Sequence, residues 1–254
     1  MLLHVSFIYQ LAHFYIVLSF ILTSQVKYGV RGDAHVNGIQ RRSFGLNAID
    51  SIFVIHLQSR DDRLQHINGV MESLGVSKHK IVNGVPHSCG ALGCSLSHIM
   101  ALTECVQSNA TTCAVFEDDF ELLRDPNKAN AAVELFFRAE PSSWEVLMLS
   151  SNVLSSSPSD HIFLDEIKEA QTASGYLVHK SFAPIMLQNH LYAAYHLNQA
   201  DCPQSVYAHD QTWKNLQQSG KWFALKPLIG KQKASYSDIE KRNVDYNVRR
   251  RSLQ

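Results

Sequence analysis

Thr112-Cys113-Ala114-Val115-Phe116-Glu117-Asp118-Asp119 sets a short apolar run directly against three carboxylates. A run of this kind reads as a strand buried on both faces of a sheet. Working outward, Ser51 to Leu57 is a second such run, Lys80 to Gly84 a third and Glu145 to Leu149 a fourth. Helical patterns lie between them. Asp61-Asp62-Arg63-Leu64 opens one that runs through Leu74 and stops at Gly75, with its two aspartates at the positive end of the helix dipole. Ser95 to Ser108 carries a stripe of Leu96, Ile99, Met100, Leu102 and Val106, and Asn127 to Ala139 gives a third helix. Strand and helix alternating in this way predict an α/β domain, an open and mainly parallel sheet flanked by helices. Ligands of such sheets bind at the carboxyl ends of the strands, which puts Glu117, Asp118 and Asp119 at the mouth.

The chain has 254 residues, 45% of them hydrophobic, enough for one substantial core. Lys plus Arg and Asp plus Glu both number 23, so no global basic field draws nucleic acid, and none is expected as a partner. The chain divides into an apolar segment at residues 1–24, a stem at 25–48, a catalytic domain at 49–240 and a basic tail at 241–254. Leu2 to Leu22 contains no Asp, Glu, Lys or Arg and is just long enough for a bilayer-spanning helix. It reads as a signal-anchor holding the domain in the secretory lumen at a membrane; a cleaved signal peptide and a buried amphipathic helix are the alternatives. Lys27, Arg31, Arg41 and Arg42 follow it and argue against that orientation. Asn109-Ala110-Thr111 is a glycosylation sequon that only a lumenal domain would use. The five cysteines match no zinc-ribbon spacing and read mostly as small buried hydrophobes, one disulfide being compatible with an oxidising lumen. Leu154 to Ser159 reads as a short flexible loop.

Adjacent carboxylates after a buried strand repel one another and resist desolvation, so a divalent cation is a natural partner. Mg²⁺ and Mn²⁺ take oxygen ligands, often one or two carboxylates plus substrate phosphates, which suits a diphosphate leaving group. An acidic helix cap is the competing reading of the triplet. Gly90-Ala91-Leu92-Gly93-Cys94-Ser95-Leu96-Ser97-His98 reads as a tight turn into a helix N-terminus, where glycines let backbone N–H groups approach a ligand. Thr172-Ala173-Ser174-Gly175-Tyr176 reads as a small-residue turn against which a sugar could lie.

Four blocks in this order, Phe53 to Arg63, Gly90 to His98, Val115 to Asp119 and Thr172 to Val178, resemble glycosyltransferase family 25. That family includes lipooligosaccharide galactosyltransferases and the galactosyltransferase domains of procollagen-modifying enzymes. The resemblance implies a GT-A-like fold, a UDP-sugar donor and Mn²⁺ or Mg²⁺ as cofactor. It implies an inverting hexosyltransferase, with galactose first and glucose second, acting on a glycan, a lipid-linked glycan or a protein. By that likeness Asp119 contacts the metal and the diphosphate, with Glu117 beside it and Asp118 in support. Arg60, Asp61 and Arg63 stand where the nucleotide is held; Asp61 as a helix cap and Arg63 as a surface residue are the alternatives. Gly93, Ser97, His98, Ser174 and Gly175 join the donor site. An inverting enzyme needs a base for the acceptor hydroxyl, and Asp210 is the candidate for it or for an acceptor contact, capping being its other reading. His209 is a further candidate metal or phosphate ligand. Two other classes compete. A nucleotidyl or phosphoryl transferase would use the same carboxylates, but no GxxxxGK[ST] loop is present. A catalytically silent relative would keep the fold alone.

Overall fold

The computed structural model describes residues 45–139, 141, 143–237 and 242–244. The apolar segment 1–24, nearly all of the stem and most of the basic tail lie outside the described residues. Among the described residues no helix is long and apolar enough to cross a membrane.

The strands are β1 (Ser51–His56), β2 (Lys80–Asn83), β3 (Thr112–Glu117), β4 (Phe120–Leu122), β5 (Val146–Pro158), β6 (Leu164–His179), β7 (Trp222–Leu225), β8 (Gly230–Gln232), β9 (Ser235–Ser237) and β10 (Arg242–Val244). The helices are α1 (Asp61–Ser73), α2 (Gly90–Gln107), α3 (Pro126–Ala139), α4 (Ala183–Leu197) and two single turns, α5 (Gln204–Tyr207) and α6 (His209–Thr212). The main sheet runs β2-β1-β3-β6-β5-β7. β1 is parallel to β2 and β3, and β5 is parallel to β7, while β6 runs antiparallel to its neighbours. The result is a mixed, mostly parallel sheet flanked by helices, the α/β class expected.

Alternation along the strands divides the core into two layers. Ile52, Val54, Ala114, Phe116, Leu147, Leu149 and Leu177 form one cluster with Ile67 and Met71 of α1 and Val133 and Phe136 of α3. The alternate positions face α2, to which Cys113 is joined by a disulfide with Cys105 and Tyr176 by a hydrogen bond to His98. The leading segment is tied down by Asn130. Its Oδ1 accepts from the Leu46 N–H at 2.9 Å and its Nδ2 donates to the Leu74 carbonyl at 3.0 Å, joining α3, the end of α1 and the start of the domain. Asn130→Ala strands the fully buried Leu46 amide, so a loss of about 1–3 kcal/mol is expected in urea unfolding.

Two expectations fail here. Leu154 to Ser159 is not a flexible loop up to Pro158: it is the second half of β5, where Ser155, Ser156 and Ser157 pair with Glu169, Ile167 and Glu166. Thr172 to Tyr176 is not a turn: it lies inside β6, whose only sign of interruption there is Thr172, at φ 69°. The long β5–β6 hairpin bends through register shifts between Met148 and Ser156 and closes on β7. The cysteines also differ from expectation. Cys89 pairs with Cys202 and Cys105 with Cys113, leaving Cys94 as the free thiol.

Candidate active site

β3 is buried from Thr112 to Phe116 and emerges at Glu117, so the chain must turn where the sheet ends. Asp118 and Asp119 make that turn into β4, whose pairing with β8 brings Gln232 alongside. Neither aspartate reaches bulk water: they are 5% and 3% exposed. Desolvated carboxylates need donors, and α1 and β1 supply them. His56, at the end of β1, places Nδ1 2.9 Å from Asp118 Oδ2. Arg63 Nη1 lies 3.1 Å from Asp118 Oδ1 and 2.9 Å from Asp119 Oδ2. Its Nη2 donates to Ser235 Oγ and to the Tyr236 carbonyl, so one guanidinium ties the acidic turn to β9.

Asp119 is only half satisfied. Oδ2 receives Arg63 and, at 3.0 Å, Gln232 Nε2; Oδ1 is buried and has no partner among the described residues. Burial, and then the charge of Glu117, pushes its pKa up to about 7 against the pull of Arg63. Glu117 points elsewhere. Its Oε1 accepts from Cys94 Sγ at 3.6 Å and lies 3.0 Å from His98 Nε2. Burial and the neighbouring Asp118 raise this carboxyl also to about 7.

A cleft of about 210 Å³ opens beside these groups at the carboxyl ends of β1, β2 and β3. Glu117, Asp118, Asp119, Arg63 and Gln232 form its polar wall. Ile55, Leu57, Val85 and Pro86 form an apolar one, and Gly93, Cys94 and Ser97 of α2 close the end. The acidic cluster is thus held by an arginine but faces a cavity, the arrangement a cation and an anionic ligand would require.

Not every expected donor residue stands on this cleft. Gly93 and Ser97 do, but through packing: a Cβ on Gly93 would sit 2.4 Å from the Val85 carbonyl. Ser97 Oγ accepts from the Val85 amide and donates to the Gly93 carbonyl. Arg60 is paired with Asp62 and donates to the Tyr236 carbonyl. Asp61 is exposed in the first turn of α1, away from the cleft lining. His98, fully buried, sits behind the wall between Tyr176 and Glu117. Ser174 bonds Ser150 Oγ at 2.6 Å, and Gly175 is a packing glycine whose Cβ would meet the Phe120 ring at 2.7 Å. Both lie behind the cleft, because β6 is a central strand there.

The expected metal set of Asp119, Glu117 and His209 is not brought together. Among the described residues the ligand atoms within 4.8 Å of one another are those of Cys94, His98 and His209. His209 opens α6 with its ring 4.5 Å from that of His98. Asp210 follows it, half-buried, accepting the Thr172 amide at 3.0 Å and Gln211 Nε2 at 3.3 Å. Sequence reasoning missed His56, Gln232 and Cys94. A histidine ending the buried run Ile52-Phe53-Val54-Ile55 was the available signal for the first, and the four-residue spacing of Cys94 and His98 in α2 for the last; Gln232 arrives by the non-local pairing of β4 with β8.

A family profile described as glycosyltransferase family 25 (LPS biosynthesis protein) matches residues 76–201. That span holds three of the four motif blocks and the acidic turn. Among solved structures, A197 from STIV is 14% identical, with 76% of this chain and 92% of that one covered and a TM-score of 0.43. A glycosyltransferase involved in glycosylation of the major capsid of PBCV-1 is 11% identical, with 75% and 95% covered and a TM-score of 0.46. Comparison with curated proteins finds no match. Over residues 76–201, just under half of its length, the chain is similar to glycosyltransferase family 25.

Proposed function

We propose that the chain transfers a hexose, galactose first and glucose next, from a UDP-sugar to an acceptor hydroxyl with inversion. One observation carries this reading: Asp119 Oδ1 is a buried carboxylate oxygen, without a partner among the described residues, on the wall of a cleft. A buried anionic oxygen left unpaired is unfavourable by several kcal/mol unless something binds it. The oxygen chemistry fits Mn²⁺ or Mg²⁺, held by Asp119 and completed by the donor diphosphate. Such an ion, when bound, neutralises the negative charge that develops on the departing UDP.

The protein's own groups supply the rest. Arg63 gives both Nη groups to Asp118, Asp119, Ser235 and the Tyr236 carbonyl and so fixes the acidic turn at the cleft wall. The apolar wall of Ile55, Leu57 and Pro86 excludes water from the other side of the cleft. In the transfer, the acceptor oxygen forms a bond to the anomeric carbon as the bond to the diphosphate oxygen breaks, and the hydroxyl proton passes to a base. Asp210 is the candidate base: its charge is felt by Glu117 and Cys94, and among the described residues its Oδ1 is engaged only by Gln211 at 3.3 Å. Glycan, lipid-linked and protein hydroxyls are the acceptor classes. A lumenal, membrane-associated setting is part of the proposal. Two disulfides and the exposed sequon at Asn109 support it, since disulfides persist in oxidising compartments.

A second reading, a catalytically silent relative, is favoured by Arg63 already pairing with Asp119 Oδ2. The test is a panel of UDP-sugars and nucleoside triphosphates incubated with the full chain and Mn²⁺. UDP release, greatest from UDP-galactose, is the expected result. UDP binding without release selects the silent relative, and pyrophosphate release from a triphosphate selects a nucleotidyl transferase.

A further inference from the structure

We propose that Cys94, His98 and His209, closed by Glu117, form a second metal site selective for zinc, set into the inner end of the cleft. It is independent of the donor reading, which uses Asp119.

Cys94 and His98 are four residues apart in α2 and therefore project from one face of the helix. α6 brings His209 against that face, and the possible ligand atoms of the three side chains lie within 4.8 Å of one another. A thiolate and two imidazoles are the ligands of zinc, not of manganese or magnesium, which take oxygen. With usual zinc bond lengths, the edges of a tetrahedral site are about 3.3–3.5 Å. Glu117 Oε1 lies 3.0 Å from His98 Nε2 and 3.6 Å from Cys94 Sγ, so two edges are close to those lengths.

An independent observation points to a ligand. His209 is 4% exposed and its Nε2 has no partner among the described residues. The tautomer follows from Ser95, whose single hydroxyl hydrogen goes to the Ala91 carbonyl at 2.9 Å. The 3.4 Å contact between Ser95 Oγ and His209 Nδ1 then requires Nδ1–H to donate. Nε2 is left with a buried lone pair and no donor, the state of a metal-ligating imidazole oriented by a hydrogen bond at its other nitrogen. His98 is supported in the same way, since Nδ1 lies 3.1 Å from the Tyr176 hydroxyl and can donate to it once Nε2 binds metal. Cys94 lines the cleft, which gives the ion a route in. On binding, the Cys94 thiol proton is released to solvent and the thiolate sulfur forms the bond to zinc.

The test uses the purified full chain. Its zinc content is measured, the metal is stripped with a chelator, and Co²⁺ is added. The expected results are about one zinc per chain and a thiolate-to-cobalt charge-transfer band. Cys94→Ser should abolish the band, and His209→Asn should weaken zinc affinity roughly 10–100-fold. Near-ultraviolet circular dichroism checks that each variant is folded; His209→Asn carries the test if Cys94→Ser is not. Asp119→Asn should leave the band in place, which separates this site from the donor metal. No bound zinc together with no charge-transfer band overturns the proposal. So does a band that survives Cys94→Ser, or one lost in Asp119→Asn.

Discussion

Asp119→Asn is expected to reduce sugar transfer on the order of 10³-fold while making the metal-free protein more stable above pH 7. The two effects share one cause. Asp119 is buried, is 3% exposed, and has its pKa raised by that burial and by Glu117 to about 7. A carboxyl whose folded pKa lies above its unfolded value contributes stability that is complete below the unfolded value, about 4, and lost as pH rises through 7. Above pH 7 the wild-type chain therefore carries an ionised group that folding disfavours, by roughly 2–4 kcal/mol. Asn cannot ionise. In chelated samples the variant should be the more stable by that amount at pH 8, the gap narrowing from pH 7 downward and closing below about 4. The same oxygen is the one offered to the cation, so activity falls as stability rises. Urea unfolding at pH 8 and initial rates with UDP-galactose check the pair. Equal stability at pH 8 would mean that Asp119 is solvated, and the cleft would lose its chemistry.

Gly93→Ala is expected to be the most damaging small change at the site. The added methyl would lie 2.4 Å from the Val85 carbonyl and 3.2 Å from His87 Cβ, so main chain, not a flexible side chain, must move. Moving it pulls Ser97 away from Val85, because that hydroxyl bridges the two segments. A loss of about 3 kcal/mol follows, at the upper end of ordinary overpacking. The cleft end shifts with it, and a displacement of about 1 Å is enough for a roughly 100-fold loss of rate. Gly69→Ala is the control. It lies inside α1 with nothing within 4 Å of its added Cβ, so a gain of about 0.5–1 kcal/mol is expected. Thermal melts of the two variants should therefore move in opposite directions.

The contrast between Gly93 and Ser174 shows what a sequence makes legible. β1, α1, β2, α2 and β3 were readable because each carries its own period and the stops are local, such as Gly75 at φ 70°. The carboxylates could be placed at the sheet mouth because they follow β3 without a gap. Ser155 to Ser157 could not be read as strand, since what makes them strand is pairing with Glu166 to Glu169 across the hairpin. Ser174 and Gly175 look like a turn by composition, yet serve as thin residues under Ser150 and the Phe120 ring. Arg60 and Arg63 are indistinguishable in sequence; only the fold shows that one pairs with Asp62 and the other reaches the acidic turn. Likewise Cys94 and His98 show their helical spacing, but nothing local announces His209 as their neighbour.

The most direct test of the account is to titrate UDP into the chelated full chain with and without Mn²⁺, and to repeat it with Asp119→Asn. The account predicts that Mn²⁺ tightens UDP binding at least about tenfold in the wild type and has no effect in the variant. UDP affinity that ignores Mn²⁺, or a variant that responds to Mn²⁺ as the wild type does, would contradict it.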